Sequence, residues 1–107
     1  MIFPKANQKT VQVSPGVLRK HLAAGGRLMA VEVHFEQGAV GAIHQHPNEQ
    51  VTYVLSGRFE FQENDKKTVI GKGDSVYVES NVPHGVVALE TGVLLDVFTP
   101  QREDFLA

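Results

Sequence analysis

Along most of the chain apolar residues recur at every second position, the repeat of an extended strand rather than of a helix. In RLMAVEVHFE (Arg27–Glu36), Met29, Val31, Val33 and Phe35 share one face, and Ala30, Glu32, His34 and Glu36 share the other. Gln50–Ser56 sets Val51, Tyr53 and Leu55 against Gln50, Thr52 and Val54. Gly57 turns that strand into Arg58–Glu63, where Phe59 and Phe61 share a face, and the turn Asn64–Asp65 returns the chain as Lys66–Ile70. GKGD (Gly71–Asp74) leads into Ser75–Val78. After an irregular piece, Glu79–Pro83, strands are predicted over His84–Leu89 and Val93–Thr99, and Pro100 stops the last one. Lys9–Val13 is also strand-like. Pro15–Ala24 reads either as a helical turn or two ended by Gly25–Gly26, or as a strand over Gly16–Leu22, and pattern alone does not separate these. Eight or so short strands with turns every ~8–12 residues predict an all-β sandwich or barrel.

Composition narrows the classes. At 107 residues the chain is expected to form one domain that buries roughly two-thirds of its unfolded surface. Ten scattered Lys and Arg and a net charge of −2 leave no basic footprint for nucleic acid. With no cysteine, neither a disulfide framework nor a thiolate zinc site can form. Met1–Thr10 lacks the apolar core of a signal peptide, and no apolar run approaches the ~20 residues of a membrane span. The expectation is a soluble, cytoplasmic protein.

One stretch carries candidate chemistry: GAVGAIHQHPNEQVTYVLSG, Gly38–Gly57. His44 and His46, two apart on an extended chain, point to the same side with Cα atoms roughly 6.5–7 Å apart. Imidazoles leaning together from that separation can share one ion at about 2.0–2.1 Å each. Gln50 follows a bend at Pro47, and His84 at the head of a distant strand is expected to complete the set from an opposing direction. His21 and His34 have no nearby partner of ligand type and read as ordinary surface or core histidines, although His34 could still face a pocket. Three imidazoles and an amide oxygen leave open positions on an ion taking five or six ligands. A neutral amide oxygen also leaves a divalent ion its full charge, favouring an anionic ligand. Nickel, iron, manganese, zinc and cobalt remain open.

Near the C-terminus, Leu94, Asp96 and Phe98 fall on one face of the last strand. An aspartate amid apolar residues is costly to bury unless it is paired or used. By itself Asp96 reads as solvent-facing or paired with Arg102, but Leu94 and Phe98 argue that this face is enclosed. Phe98 alone reads as core or pocket wall, and Arg102 alone as a surface charge.

Gly38-x5-His44-x-His46-x3-Gln50-x6-Gly57 resembles the first motif of the cupin superfamily in all its spacings, and Gly73-x5-Glu79-x-Asn81-x2-His84 resembles the second. Three positions depart from the usual pattern: glutamine where the family usually has glutamate, Glu79 in place of proline, and Asn81 in place of glycine. MAVEVHFEQGAVGAIHQHPNEQVTYVLSGRFEF and VPHGVVALETGVLLDVFTPQREDF further resemble the KdgF-type cupins, the uronate-linearising proteins of pectin and alginate breakdown. The tail DVFTPQREDF is the more discriminating piece, because the metal motifs occur in cupins of unrelated activity.

The resemblance implies a small jelly roll with a metal in its cavity: a single cupin domain over 1–107, with 1–26 an N-terminal strand or irregular segment, 27–99 the core and 100–107 a tail. It implies one divalent transition-metal ion on His44, His46, Gln50 and His84, and site residues Asp96, Phe98 and Arg102. The implied substrates are unsaturated monouronates, opened to linear 4-deoxy-5-keto uronates. In that scheme Asp96 is the acid or base, Arg102 holds the carboxylate, and Phe98 walls the ring. Alternatives are a non-catalytic sugar-acid-binding cupin or a metal-dependent dioxygenase. A homodimer is expected, with Lys9–Val13 pairing across two copies to cover a sheet edge.

Overall fold

The computed structural model describes residues 1–106. In it the period-two pattern becomes β1 (Thr10–Ser14), β2 (Val17–Gly25), β3 (Leu28–Phe35), β4 (Val40–His44), β5 (Glu49–Ser56), β6 (Arg58–Glu63), β7 (Lys66–Gly71), β8 (Ser75–Val78), β9 (His84–Ala88) and β10 (Gly92–Thr99). They form two antiparallel sheets. One has the order β1-β2-β3-β10-β5-β8, and the other β4-β9-β6-β7. This is the expected all-β jelly roll of two facing sheets. Among the described residues, no helix is long and apolar enough to cross a membrane.

The ambiguous stretch after Pro15 is a strand. Val17 enters the core, and β2 pairs with β3 from Val17↔Phe35 to Gly25↔Leu28. Cross-strand pairing on both sides, to β1 and β3, outweighs what a helix of one or two turns could gain alone. Helical structure falls elsewhere, in a 3-10 turn at Lys5–Asn7 and a short α1 at Glu103–Leu106 within the expected tail. β4 was not signalled by alternation, since Gly41 and Ala42 carry little apolar contrast; it forms because β9 offers it an edge.

The core lies between the sheets. Val17, Phe35, Val54, Phe59, Phe61, Ile70, Val78, Ala88 and Leu94 make one buried cluster, and Met29, Val31 and Phe98 a second. On β5 the more apolar row faces out: Val51, Tyr53 and Leu55 are exposed, whereas Gln50, Thr52 and Val54 are buried. The register with β10 explains the inversion, because it pairs Val54, Thr52 and Gln50 with Leu94, Asp96 and Phe98 on the inner face. Moving along this pair from Val54 and Leu94, the interior changes from apolar core to polar cavity within two residues. That boundary positions the site.

Two motif residues owe their identity to the backbone. Gly57 has φ +83°, and a Cβ there would lie 2.7 Å from the Cα of Gly92 and from the carbonyl of Thr91, closer than packed atoms approach. Asn81, where the family pattern has glycine, adopts φ 63°. Asparagine tolerates this left-handed region better than other non-glycine residues, so the loop before His84 keeps its bend.

Candidate metal centre

Three elements bring the histidines together. His44 ends β4, His46 lies in the following loop, and His84 opens β9 directly opposite His44 in the ladder. The expectation that His84 approaches from an opposing direction is corrected here: it stands beside His44 in the same sheet, and Gln50 comes from the facing one. The reason is topological, since β9 is the strand onto which β4 pairs. Ring centroids are 4.5 Å apart for His44–His84, 5.0 Å for His46–His84 and 5.5 Å for His44–His46.

Each imidazole is oriented from behind. The Nδ1 of His44 lies 2.9 Å from the carbonyl of Ala42, that of His46 3.0 Å from Asn48, and that of His84 2.9 Å from Val82. A carbonyl only accepts, so in each ring Nδ1 carries the proton and Nε2 presents a lone pair. Burial lowers the pKa of His46 and pushes that of His84 down to about 4, with the charge of Arg102 adding to both. These two rings are held neutral, the form that binds metal.

The donor set fits a cation. Candidate ligand atoms of His44, His46 and His84 lie within 4.8 Å of one another. The buried Nε2 of His84 has no hydrogen-bond partner within the protein, a costly state unless a donor or a cation meets its lone pair. The amide oxygen Oε1 of Gln50 faces the Nε2 of His46 at 2.9 Å. Two acceptors at that distance repel unless a proton or metal ion lies between them.

The orientation of that amide is set by a relay behind it. Nε2 of Gln50 donates to the Thr52 hydroxyl at 2.8 Å, which donates to Oδ1 of Asp96 at 2.6 Å. Because an ionised Asp96 only accepts, the Thr52 proton points to it, Gln50 must donate to Thr52, and Oε1 is left toward the histidines. The cavity leaves Asp96 some solvent access, but its carboxyl is deep enough that burial lifts its pKa to about 6. The Thr52 and Gln50 hydrogen bonds and the Arg102 charge oppose that lift. A proton donor or acceptor near neutrality therefore sits one relay away from the ligand cluster.

The tail closes this end. Asn48, buried, donates from Nδ2 to the carbonyls of Pro100 (2.8 Å) and Gln101 (3.2 Å), tying the histidine loop to the tail. Phe98 packs edge-on to His46 at 5.6 Å. Arg102 does not pair with Asp96. Its Nε and Nη2 take both oxygens of Asp104, at 3.0 and 2.8 Å, because the turn into α1 sets these residues two apart. Phe98, Arg102 and Asp104 line a cavity of about 390 Å³ together with Arg19, Asp96 and Phe105. That is near the lower end for small-molecule sites, which run from roughly 300 to 1,000 Å³.

Residues 31–98 match the family described as "Cupin domain". The chain is a cupin, of the KdgF type. It is 41% identical over 97 residues to the pectin degradation protein KdgF of Dickeya dadantii, covering 89% of this chain and 88% of that one. Among solved structures, KdgF from Halomonas sp. superposes with a TM-score of 0.91 at 37% identity, over 98% of this chain and 97% of that one. An RmlC-like cupin from Shewanella frigidimarina gives the same TM-score at 36% identity, over 97% and 94%.

Within this cupin the cavity gathers His44, Gln50, His84, Asp96, Phe98 and Arg102, and His46 lies against the same cluster. His34 instead bonds Glu32 at 2.8 Å and borders a separate depression with Glu36 and Thr91. His21 accepts from Nε of Arg19 at 3.1 Å and leans on Phe105. Sequence reasoning missed Asn48, Thr52, Arg19, Asp104 and Phe105. Thr52 could have been found from its place two residues beyond Gln50 on the same face. Arg19 lies on the ambiguous stretch, and no pattern could have brought it to the cavity.

Proposed function

We propose that this cupin is a metal-dependent enzyme of pectin or alginate breakdown that opens 4,5-unsaturated monouronates to linear 4-deoxy-5-keto uronates. The observation that carries the reading is Asp96, a carboxyl lifted toward neutrality by burial, in one small cavity with Gln50, His44 and His84. A volume of about 390 Å³ suits a monosaccharide. The printed description of the Dickeya relative, a pectin degradation protein, supports the substrate class.

Ring opening is an isomerisation. A proton leaves the anomeric hydroxyl, the bond from C1 to the ring oxygen breaks, C4 receives a proton, and C1 and C5 end as carbonyls. One divalent transition-metal ion held by His44, His46, Gln50 and His84 would supply stabilisation of negative charge on substrate oxygens. Asp96 takes the hydroxyl proton and returns one to C4, a task matched to a pKa near the working pH. Arg102 binds the carboxylate, and Phe98 lies against the sugar ring. The protein works in the cytoplasm as a homodimer, for which β1, one of the two outer strands of the six-stranded sheet, offers an edge to a second copy.

The test is metal-loaded protein with unsaturated galacturonate or its alginate counterpart. The expected result is accelerated loss of the enol-ether ultraviolet absorbance without oxygen uptake, abolished in Asp96→Asn at unchanged metal content. Binding without that loss would make the protein a sugar-acid carrier. Oxygen consumption would make it a dioxygenase, and nearly unchanged turnover in Asp96→Asn would remove the acid–base role. A monomeric mass at micromolar concentration would overturn the dimer.

A further inference from the structure

The mouth of the cavity contains a second guanidinium that the ring-opening scheme does not use. Arg19, on β2, is half-buried and lines the cavity. Its guanidinium carbon lies 3.7 Å from the centroid of Phe105, and that of Arg102 lies 4.2 Å from the same centroid. One ring therefore carries both cations and sets their spacing, although they arrive from opposite ends of the chain. Nε of Arg19 is committed to His21. Among the described residues no other hydrogen bond engages this guanidinium, so its Nη edge is available to a ligand.

Arg102 is differently placed. The side-on edge that best grips a carboxylate already holds one, that of Asp104. The side chain of Arg102 is 11% exposed and that of Asp104 62% exposed. The cation is thus built into the wall, while its partner reaches in from solvent. The exposed Asp104 carboxylate can return to water when another carboxylate takes its seat. With Asp104 in place the Arg102 pair is neutral overall, and the net positive charge at the mouth comes from Arg19.

We infer that Arg19 and Arg102 form a two-guanidinium clamp for the ligand's carboxylate, and that Asp104 occupies this seat until the ligand displaces it. The inference rests on the uronate reading for the ligand's identity, but its geometry requires only a small monocarboxylate. Asp104 acts as an internal competitor. It keeps a buried guanidinium partnered in the free protein and discriminates against neutral sugars, which bring no carboxylate to exchange for it.

Calorimetric titration of the metal-loaded full chain with D-galacturonate, D-galactose and acetate tests this. Arg19→Gln should weaken galacturonate binding by about tenfold or more, the loss of one charge-assisted contact, and Arg19→Lys should recover part of it. Asp104→Asn should tighten galacturonate by roughly threefold or more by removing the competitor. Binding of galactose should be insensitive to all three, and metal content and the far-ultraviolet dichroism spectrum should not change. Wild-type affinity in Arg19→Gln, or weaker binding in Asp104→Asn, overturns the clamp. If galacturonate fails to bind but acetate shows the same pattern across the variants, the clamp stands and the uronate reading falls. If no carboxylate binds, the clamp falls.

Discussion

Replacing Asp96 by asparagine should stabilise the metal-free protein at neutral pH even as it removes turnover. Burial lifts this carboxyl from its ordinary 3.8 to about 6 in the folded chain, whereas in the unfolded chain it titrates as any aspartate does. Between those values the native state binds more protons than the unfolded one. Stability therefore falls as pH rises through that window and stays lower above it. About two pH units at about 1.4 kcal/mol each set the loss at roughly 3 kcal/mol. Asparagine has no charge to desolvate, and its side-chain oxygen can still accept the Thr52 hydroxyl, so the variant should escape this loss. Urea unfolding of chelator-treated wild type and Asp96→Asn at about pH 4 and about pH 7 reads the effect, since titrations common to both proteins cancel in the double difference. The gap should move in the variant's favour by roughly 2–3 kcal/mol between the two conditions. A gap constant to within about 0.5 kcal/mol would refute the argument, because the carboxylate would then sit in the fold at no electrostatic cost. A charge held at such cost, whose removal stabilises the protein and ends its activity, marks a residue kept for chemistry.

Gln50→Glu adds negative charge to the ligand cluster and should tighten divalent-ion binding measured by titration calorimetry. The same change removes the donor to Thr52 and sets a second carboxylate near Asp96, so turnover should fall by about 10²-fold or more; unchanged turnover would contradict the relay. Gly57→Ala must force a Cβ to 2.7 Å from the Gly92 backbone at φ +83°, and should cost at least about 2 kcal/mol in denaturant unfolding. A loss below about 0.5 kcal/mol would show that the two turns can separate freely.

Periodicity made most of the architecture legible, and spacing with the motif resemblance pointed to the histidines that cluster in the fold. Alternation is local: a residue's face follows from its neighbours two positions away, so β3, β5, β6 and β10 were legible with nearly correct ends. His44 and His46 share a side by the same rule, and Gln50 and His84 entered through motif spacing. What the chain could not disclose locally was which face of β5 turns inward. Its more apolar row points to solvent, because cross-strand register with β10, not hydrophobicity, sets the interior row. The Pro15–Ala24 stretch likewise becomes a strand only because β1 and β3 flank it. That pairing carries Arg19 across the sequence to Phe105, and α1 turns Asp104 onto Arg102 instead of leaving Arg102 for Asp96. Contacts between residues eighty positions apart depend on sheet order and tail geometry, which no period in the sequence encodes. Tertiary structure alone therefore decided how the cavity's mouth is charged, while the sequence had already determined the centre it guards.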